Sequence, residues 1–255
     1  MRFSISFLTL LLHGALLTGC GLNKDKPDPT KDWSPQRIYS EAKSEIASGN
    51  NEKGIKLLES LQARYPYGRF AQQAQLDEAY AYYKADEIPQ ALAAADRFIK
   101  LHPNHPNVDY AFYLKGLCNF RDDLGPFGFF SVDDLAERDP KAAKDSFDTF
   151  RELVTRYPES RYAPDARKRM NYLVNALATH EVKVANYYFR RGAYVAATNR
   201  AQEALNTYPQ APALEEALSI MVKSYNAMGL KDLAADANKV LQKNFPQSKY
   251  LNAPS

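Results

Sequence analysis

The chain has 255 residues, a formal charge of +3 and 45% hydrophobic residues, 17 of its side chains being tyrosines. So small a net charge excludes general nucleic-acid binding through a basic surface, whereas the apolar content is ample for a packed core. Two cysteines exclude a dense disulfide framework.

The chain opens with Arg2 followed by a mostly apolar run, Ile5 to Leu17, too short to span a bilayer as a permanent helix. It reads as an export signal, residues 1–19. The run ends in Leu17-Thr18-Gly19-Cys20, which resembles a bacterial lipobox. That resemblance implies cleavage before Cys20, an S-diacylglycerol on its thiol and an N-palmitoyl group on its freed amine, and several acyl chains together anchor stably. By the same resemblance Gly21, where aspartate would favour retention in the inner membrane, directs the protein to the outer membrane, periplasmic side. Loss of Arg2 with the signal lowers the charge from +3 to +2. With Cys20 lipidated only Cys118 remains, so stability must come from packing.

Residues 20–33 carry charges and prolines with little to bury, and read as a flexible tether. Folded structure is expected from Ser34, an N-cap followed by Pro35 in the first helical position. Trp33 and Ile38 flank that cap at the spacing of a hydrophobic staple.

From there an aromatic or histidine followed by proline recurs five times, at Tyr65-Pro66, His102-Pro103, Tyr157-Pro158, Tyr208-Pro209 and Phe245-Pro246. Each follows an amphipathic helix, such as Ala91, Ala94, Ala95, Phe98 and Ile99 with their three- and four-residue spacing. The prolines end these helices. Counting back from them aligns small residues on the first helix of each pair (Ala42, Ala79, Ala185 and, less well, Val222) and on the second (Gly54, Ala91, Ala197, Ala234). Tyr82, Tyr188 and Tyr225 share an aromatic position, and Gly49, Gly192 and Gly229 fall between helices. The pattern matches the tetratricopeptide repeat. It predicts an all-α, right-handed solenoid of five helix pairs over residues 34–246, with repeats near 34–66, 70–103, 109–158, 164–209 and 213–246 and a short tail, 247–255.

Proline spacings of 37, 55, 51 and 37 residues locate two enlargements. The third repeat exceeds 37 by 18 residues, which fit an insertion from Arg121 to Pro140 whose centre, Gly125-Pro126-Phe127-Gly128-Phe129-Phe130, is aromatic. Phe127, Phe129 and Phe130 are candidates to meet a partner or to tuck into the solenoid. The fourth exceeds 37 by 14, which fits a lengthened helix through Pro164 to His180.

Neither a phosphate-binding glycine loop, nor a nucleophile elbow, nor a zinc-binding His-Glu-x-x-His occurs. His102 and His105 are three residues apart, but His102 occupies the slot that other repeats fill with Tyr or Phe, and a packing role is expected instead of a metal. Acidic residues around the insertion, including Asp122, Asp123, Asp133, Asp134 and Glu137, read as solvated surface. No catalytic residue, metal or cofactor is therefore assigned. The first helices of a solenoid line its concave face, a groove for extended peptides or partner helices. In the first two repeats Tyr39, Lys43, Tyr80, Tyr83 and Lys84 are expected to face it, although some of these tyrosines serve equally well as inter-repeat core. Aromatic walls with ammonium groups suit a peptide ending in an aromatic residue and a free carboxylate.

Beyond the general repeat, the chain resembles the BamD family of lipoproteins, also called the ComL or YfiO family. Its specific segments are Arg64-Tyr65-Pro66-Tyr67-Gly68, Ala79-Tyr80-Ala81-Tyr82-Tyr83-Lys84, Asp96-Arg97-Phe98-Ile99-Lys100, His105-Pro106-Asn107-Val108-Asp109-Tyr110, Gly128-Phe129-Phe130-Ser131-Val132-Asp133 with Arg138-Asp139-Pro140, and Arg191-Gly192-Ala193-Tyr194-Val195-Ala196 leading to Asn199-Arg200. The resemblance implies a non-enzymatic scaffold of outer-membrane β-barrel assembly. Its implied partners are the POTRA domains of BamA, other Bam lipoproteins and unfolded β-barrel proteins recognised by their C-terminal signal. Arg200 matches the arginine that implies the BamA contact. A competing reading is a periplasmic scaffold for DNA uptake or cell-wall enzymes.

Overall fold

The computed structural model describes residues 28–124 and 140–251. Among them all regular structure is helical: α1 (Pro35–Ala47), α2 (Asn51–Arg64), α3 (Arg69–Lys84), α4 (Ile88–Leu101), α5 (Val108–Leu124), α6 (Lys141–Arg156), α7 (Ala163–Arg190), α8 (Tyr194–Thr207), α9 (Leu214–Ala227) and α10 (Lys231–Asn244). Consecutive helices pack side by side, and α1 with α3, α3 with α5, and α7 with α9 also meet, as the first helices of stacked pairs do.

The second helix of every pair stops in the same way. Tyr65, His102, Tyr157, Tyr208 and Phe245 all take φ between −133° and −128° with ψ between 55° and 67°. A residue before proline is excluded from the helical region, so the repeated sequence imposes a repeated backbone. Each ring is then used as packing: the Tyr65 hydroxyl donates to the Trp33 carbonyl at 3.1 Å, and the Tyr157 ring lies 5.8 Å from Phe112.

Four turns inside pairs are equally uniform. Gly49, Gly192 and Gly229 have φ of 89°, 74° and 75°, and Asp86 takes 65° in the second repeat. In each, the next amide closes a long bond to the preceding helix, such as Asn50 N to Glu45 O at 2.8 Å and Ala193 N to Tyr188 O at 3.0 Å, the Schellman arrangement. Ser34 caps α1 through its hydroxyl, 3.3 Å from the Arg37 amide, and Trp33 packs on the cluster that holds Ile38.

Small residues let the helices cross closely. Ala42, Ala79, Ala91, Ala185 and Ala197 are fully buried, and a Cβ on Gly54 would fall 3.2 Å from the Ala42 carbonyl oxygen. In the fifth repeat Val222 is only half-buried, beside buried Met221 and Ile220.

Three boundaries differ from the sequence expectation. First, α5 continues to Leu124, four residues beyond the expected Phe120. Second, the lengthened helix of the fourth repeat is one 28-residue element, α7, because its extension and its repeat helix join without a break. Third, the segment expected to be tether up to residue 33 is docked from Asp28 onward. The Arg64 guanidinium binds the Thr30 carbonyl at 2.5 Å, its hydroxyl at 2.6 Å and the Asp28 carboxylate. Thr30 is buried as a result. Residues 1–27, with Cys20, and 125–139, with Phe127, Phe129 and Phe130, lie outside the described residues.

Candidate functional site

Between α1, α3, α5 and the turn before α7 lies a groove of about 730 Å³. Its centre is Asp77, only 6% exposed. Tyr39 and Lys43 are one turn apart on α1 and so share a face. The Tyr39 hydroxyl donates to Asp77 Oδ2 at 2.6 Å, and Lys43 Nζ donates to Oδ1 at 3.1 Å. Burial first, and then the hydrogen bond to Asp77, push the Tyr39 phenol above its ordinary pKa, so it stays a donor. Its ring packs 5.6 Å from Phe70.

Lys43 and Tyr80 line the groove together with Asp77. Tyr83 instead packs on the buried cluster of Ala79, Ala91 and Leu114. Lys84, one turn beyond Tyr80, is exposed at the last turn of α3, outside this lining. Of the five candidates in the first two repeats, then, Tyr39, Lys43 and Tyr80 converge and the other two stand apart.

Residues not foreseen complete the wall. Tyr110 of α5 lies 5.3 Å from Tyr162, and Tyr113 stacks on Tyr162 at 4.8 Å. Burial above all, then a 2.7 Å hydrogen bond to Asp165, pushes the Tyr113 phenol up to about 12. Arg169 binds the same Asp165 oxygen at 2.6 Å. Burial alone would raise the Asp165 pKa, but these two donors outweigh it and lower it. Arg161 lies 4.8 Å over the Tyr162 ring and donates to its hydroxyl. Sequence did carry a signal for Asp77, three residues before Tyr80 and hence on its face of α3. It carried none for the approach of Tyr162, which is 52 residues from Tyr110.

A larger cleft of about 840 Å³ lies over α5, between α4 and α6. Its cations are paired, Lys115 with Asp96 at 2.6 Å, Arg151 with Asp148 at 2.8 Å and Arg156 with Glu152 at 2.8 Å, and its wall is charged instead of aromatic. The groove around Asp77 is the better candidate for an amphipathic ligand.

His102 does pack: its ring lies 5.1 Å from Phe98, and its Nε2 is 2.8 Å from the Gln75 amide oxygen. Among the described residues no group of three or more His, Cys, Asp or Glu side chains is arranged to hold a metal, and no helix is long and apolar enough to cross a membrane. Arg200, on α8, is 47% exposed and pairs with Glu181 of α7 at 3.1 Å.

The family described as YfiO, outer membrane lipoprotein, matches residues 31–241. The outer membrane protein assembly factor BamD of Neisseria meningitidis serogroup B is 48% identical over 88% of this chain and 84% of its own length. That of Vibrio cholerae is 39% identical over 93% and 97%. A tetratricopeptide protein of Thermus thermophilus aligns over 86% of this chain and 95% of its own, at 13% identity and a TM-score of 0.39. With the family match spanning most of the sequence and such relatives at nearly full length, the chain belongs to the YfiO family of outer membrane lipoproteins.

Proposed function

We propose that this protein is a non-catalytic scaffold for assembling β-barrel proteins in the outer membrane, acting from its periplasmic side. Acylated Cys20 holds it to the membrane. A surface that includes Arg200 meets the POTRA domains of BamA beside the other Bam lipoproteins, and the concave groove receives unfolded barrel proteins. The observation that carries this reading is the 48% identity, over 88% of the chain, to a protein named an outer membrane protein assembly factor.

The groove supports it physically. An extended segment presents alternate side chains to one face, and tyrosine rings offer wide contact area at small entropic cost. Phe127, Phe129 and Phe130 are further candidates for partner contact. Seven residues lie between Cys20 and Asp28, and these eight steps of chain reach at most about 28 Å. The anchor therefore contributes effective concentration beside a membrane partner more than recognition.

Depleting the protein and measuring folded outer-membrane barrels tests the proposal. A fall in folded barrels is the expected result. Unchanged barrels with retention on peptidoglycan or DNA would favour the scaffold for cell-wall enzymes or DNA uptake, and turnover abolished by a single carboxylate change would favour an enzyme.

A further inference from the structure

The start of α1, the end of α2 and the start of α3 meet at one corner of the first repeat. Arg64 at the end of α2 holds Asp28 and Thr30, the Tyr65 hydroxyl holds the Trp33 carbonyl, and Phe70 of α3 packs on Tyr39 of α1 at 5.6 Å. The chain that leads back to Cys20 leaves the fold at this corner. Tyr67, in the turn between α2 and α3, is 93% exposed there. Two guanidinium groups stand at the same corner, each laid on a ring: Arg37 over Trp33 at 4.3 Å and Arg69 over Phe70 at 4.9 Å. Both are exposed, as is Lys31, and among the described residues none of the three has a carboxylate within ion-pair distance. With Arg64, four cations face Asp28 and Asp32, or three carboxylates when Glu41, one turn beyond Arg37, is counted.

A bare aromatic ring among unpaired cations suits a membrane interface, where tyrosine settles at headgroup level and cations are drawn to anionic lipids. The chain between Cys20 and Asp28 reaches at most about 28 Å, so an acyl anchor keeps this corner beside the bilayer. Without the Arg64 clasp the free chain would run on to Ser34, a reach of about 50 Å. At the effective concentration that the short tether gives, a contact too weak to bind membranes by itself is enough to orient the body. We propose that this corner docks on the membrane surface, with Tyr67 in the headgroup layer and Arg37, Arg69 and Lys31 against lipid phosphates, so that the solenoid is held in one orientation. The proposal rests on the reading that Cys20 is acylated.

The test places the acylated full-length mature protein in vesicles of phosphatidylethanolamine and phosphatidylglycerol, with or without bromine high on the acyl chains, and reads tryptophan fluorescence. Trp33 is the one tryptophan of the chain, so Tyr67→Trp adds a single reporter at an exposed position. Bromine is expected to quench this variant more than the parent. Adding Arg37→Gln and Arg69→Gln should lower the ratio of docked to undocked protein about 30-fold, the product of two surface cations, with far-UV circular dichroism unchanged, and high salt should act in the same direction. Equal quenching of Tyr67→Trp and parent, in protein that floats with the vesicles, overturns the docking and leaves the anchor standing. Extra quenching that survives either the arginine substitutions or the salt reflects nearness to the bilayer alone and also overturns it. Protein that fails to float overturns the acyl anchor, and the docking with it.

Discussion

Ser146 Oγ donates a hydrogen bond to the Gly116 carbonyl oxygen at 3.0 Å where α6 crosses α5. The two are the small pair of the third repeat, 12 and 42 residues before Pro158. A Cβ on Gly116 would lie 2.4 Å from Cε1 of Phe150. That ring is fully buried and flanked by Tyr113 at 6.0 Å and Phe120 at 6.5 Å, so it has no room to retreat. Overpacking costs about 1–3 kcal/mol, and alanine's better helix propensity returns somewhat less than 1 kcal/mol. Gly116→Ala is expected to lose on the order of 1 kcal/mol net and about 2–4 °C in a thermal melt. An unchanged melting temperature would mean that the crossing opens freely.

Gly192→Ala separates backbone cost from packing cost. A Cβ there would meet nothing within 4 Å, yet φ is +74°. The left-handed conformation costs an L-residue roughly 1 kcal/mol, and chemical denaturation should show about that loss. Asp86, in the same conformation two repeats earlier, shows that the turn demands the angle and tolerates a short polar side chain.

These two positions also mark how far sequence alone reaches. The five aromatic-proline ends and the turn glycines were legible because each acts within a few residues: proline bars helix before itself, and glycine accepts a positive φ. Gly116 and Ser146 fall into register once the 18 inserted residues are discounted, since the crossing needs small residues whatever lies between. Asp77 was harder, because its partners Tyr39 and Lys43 are 38 and 34 residues away and only the stacking of α1 on α3 joins them. The docking of Asp28 and Thr30 onto Arg64 was hidden for the same reason, in a segment whose composition alone says tether.

Glu78 gives a pH test. It is 7% exposed, and burial raises its pKa above 4.5; the nearby Glu59 charge adds to this, while the hydrogen bond from Gln62 and the charge of Arg97 oppose it. The folded state thus holds a proton that the unfolded state has already released. Stability contributed by that protonated acid is present below about pH 4.5 and is lost as pH rises through the higher folded-state value. Glu78→Gln keeps a hydrogen-bonding partner for Gln62 and removes the titration. It should be more stable than the parent at neutral pH and should flatten this part of the profile. A parallel pair of stability–pH curves would show that Glu78 ionises without cost.

Arg200→Glu addresses the proposed BamA contact. The Arg200 side chain is 47% exposed and its partner Glu181 is 16% exposed, so the substitution brings two carboxylates to one place on α7 and α8. Half-exposed pairs contribute about 0–1 kcal/mol, and helicity should stay normal while co-purification with BamA falls, on the order of tenfold or more if the contact is desolvated in the complex. The double change Arg200→Glu with Glu181→Arg restores the internal pair but places its charges the other way round. If Arg200 meets an acid on BamA, the double variant stays weak; recovery would mean that the substitution acted only through the α7–α8 packing. Full co-purification of the single variant with normal helicity would move the interface away from this residue altogether.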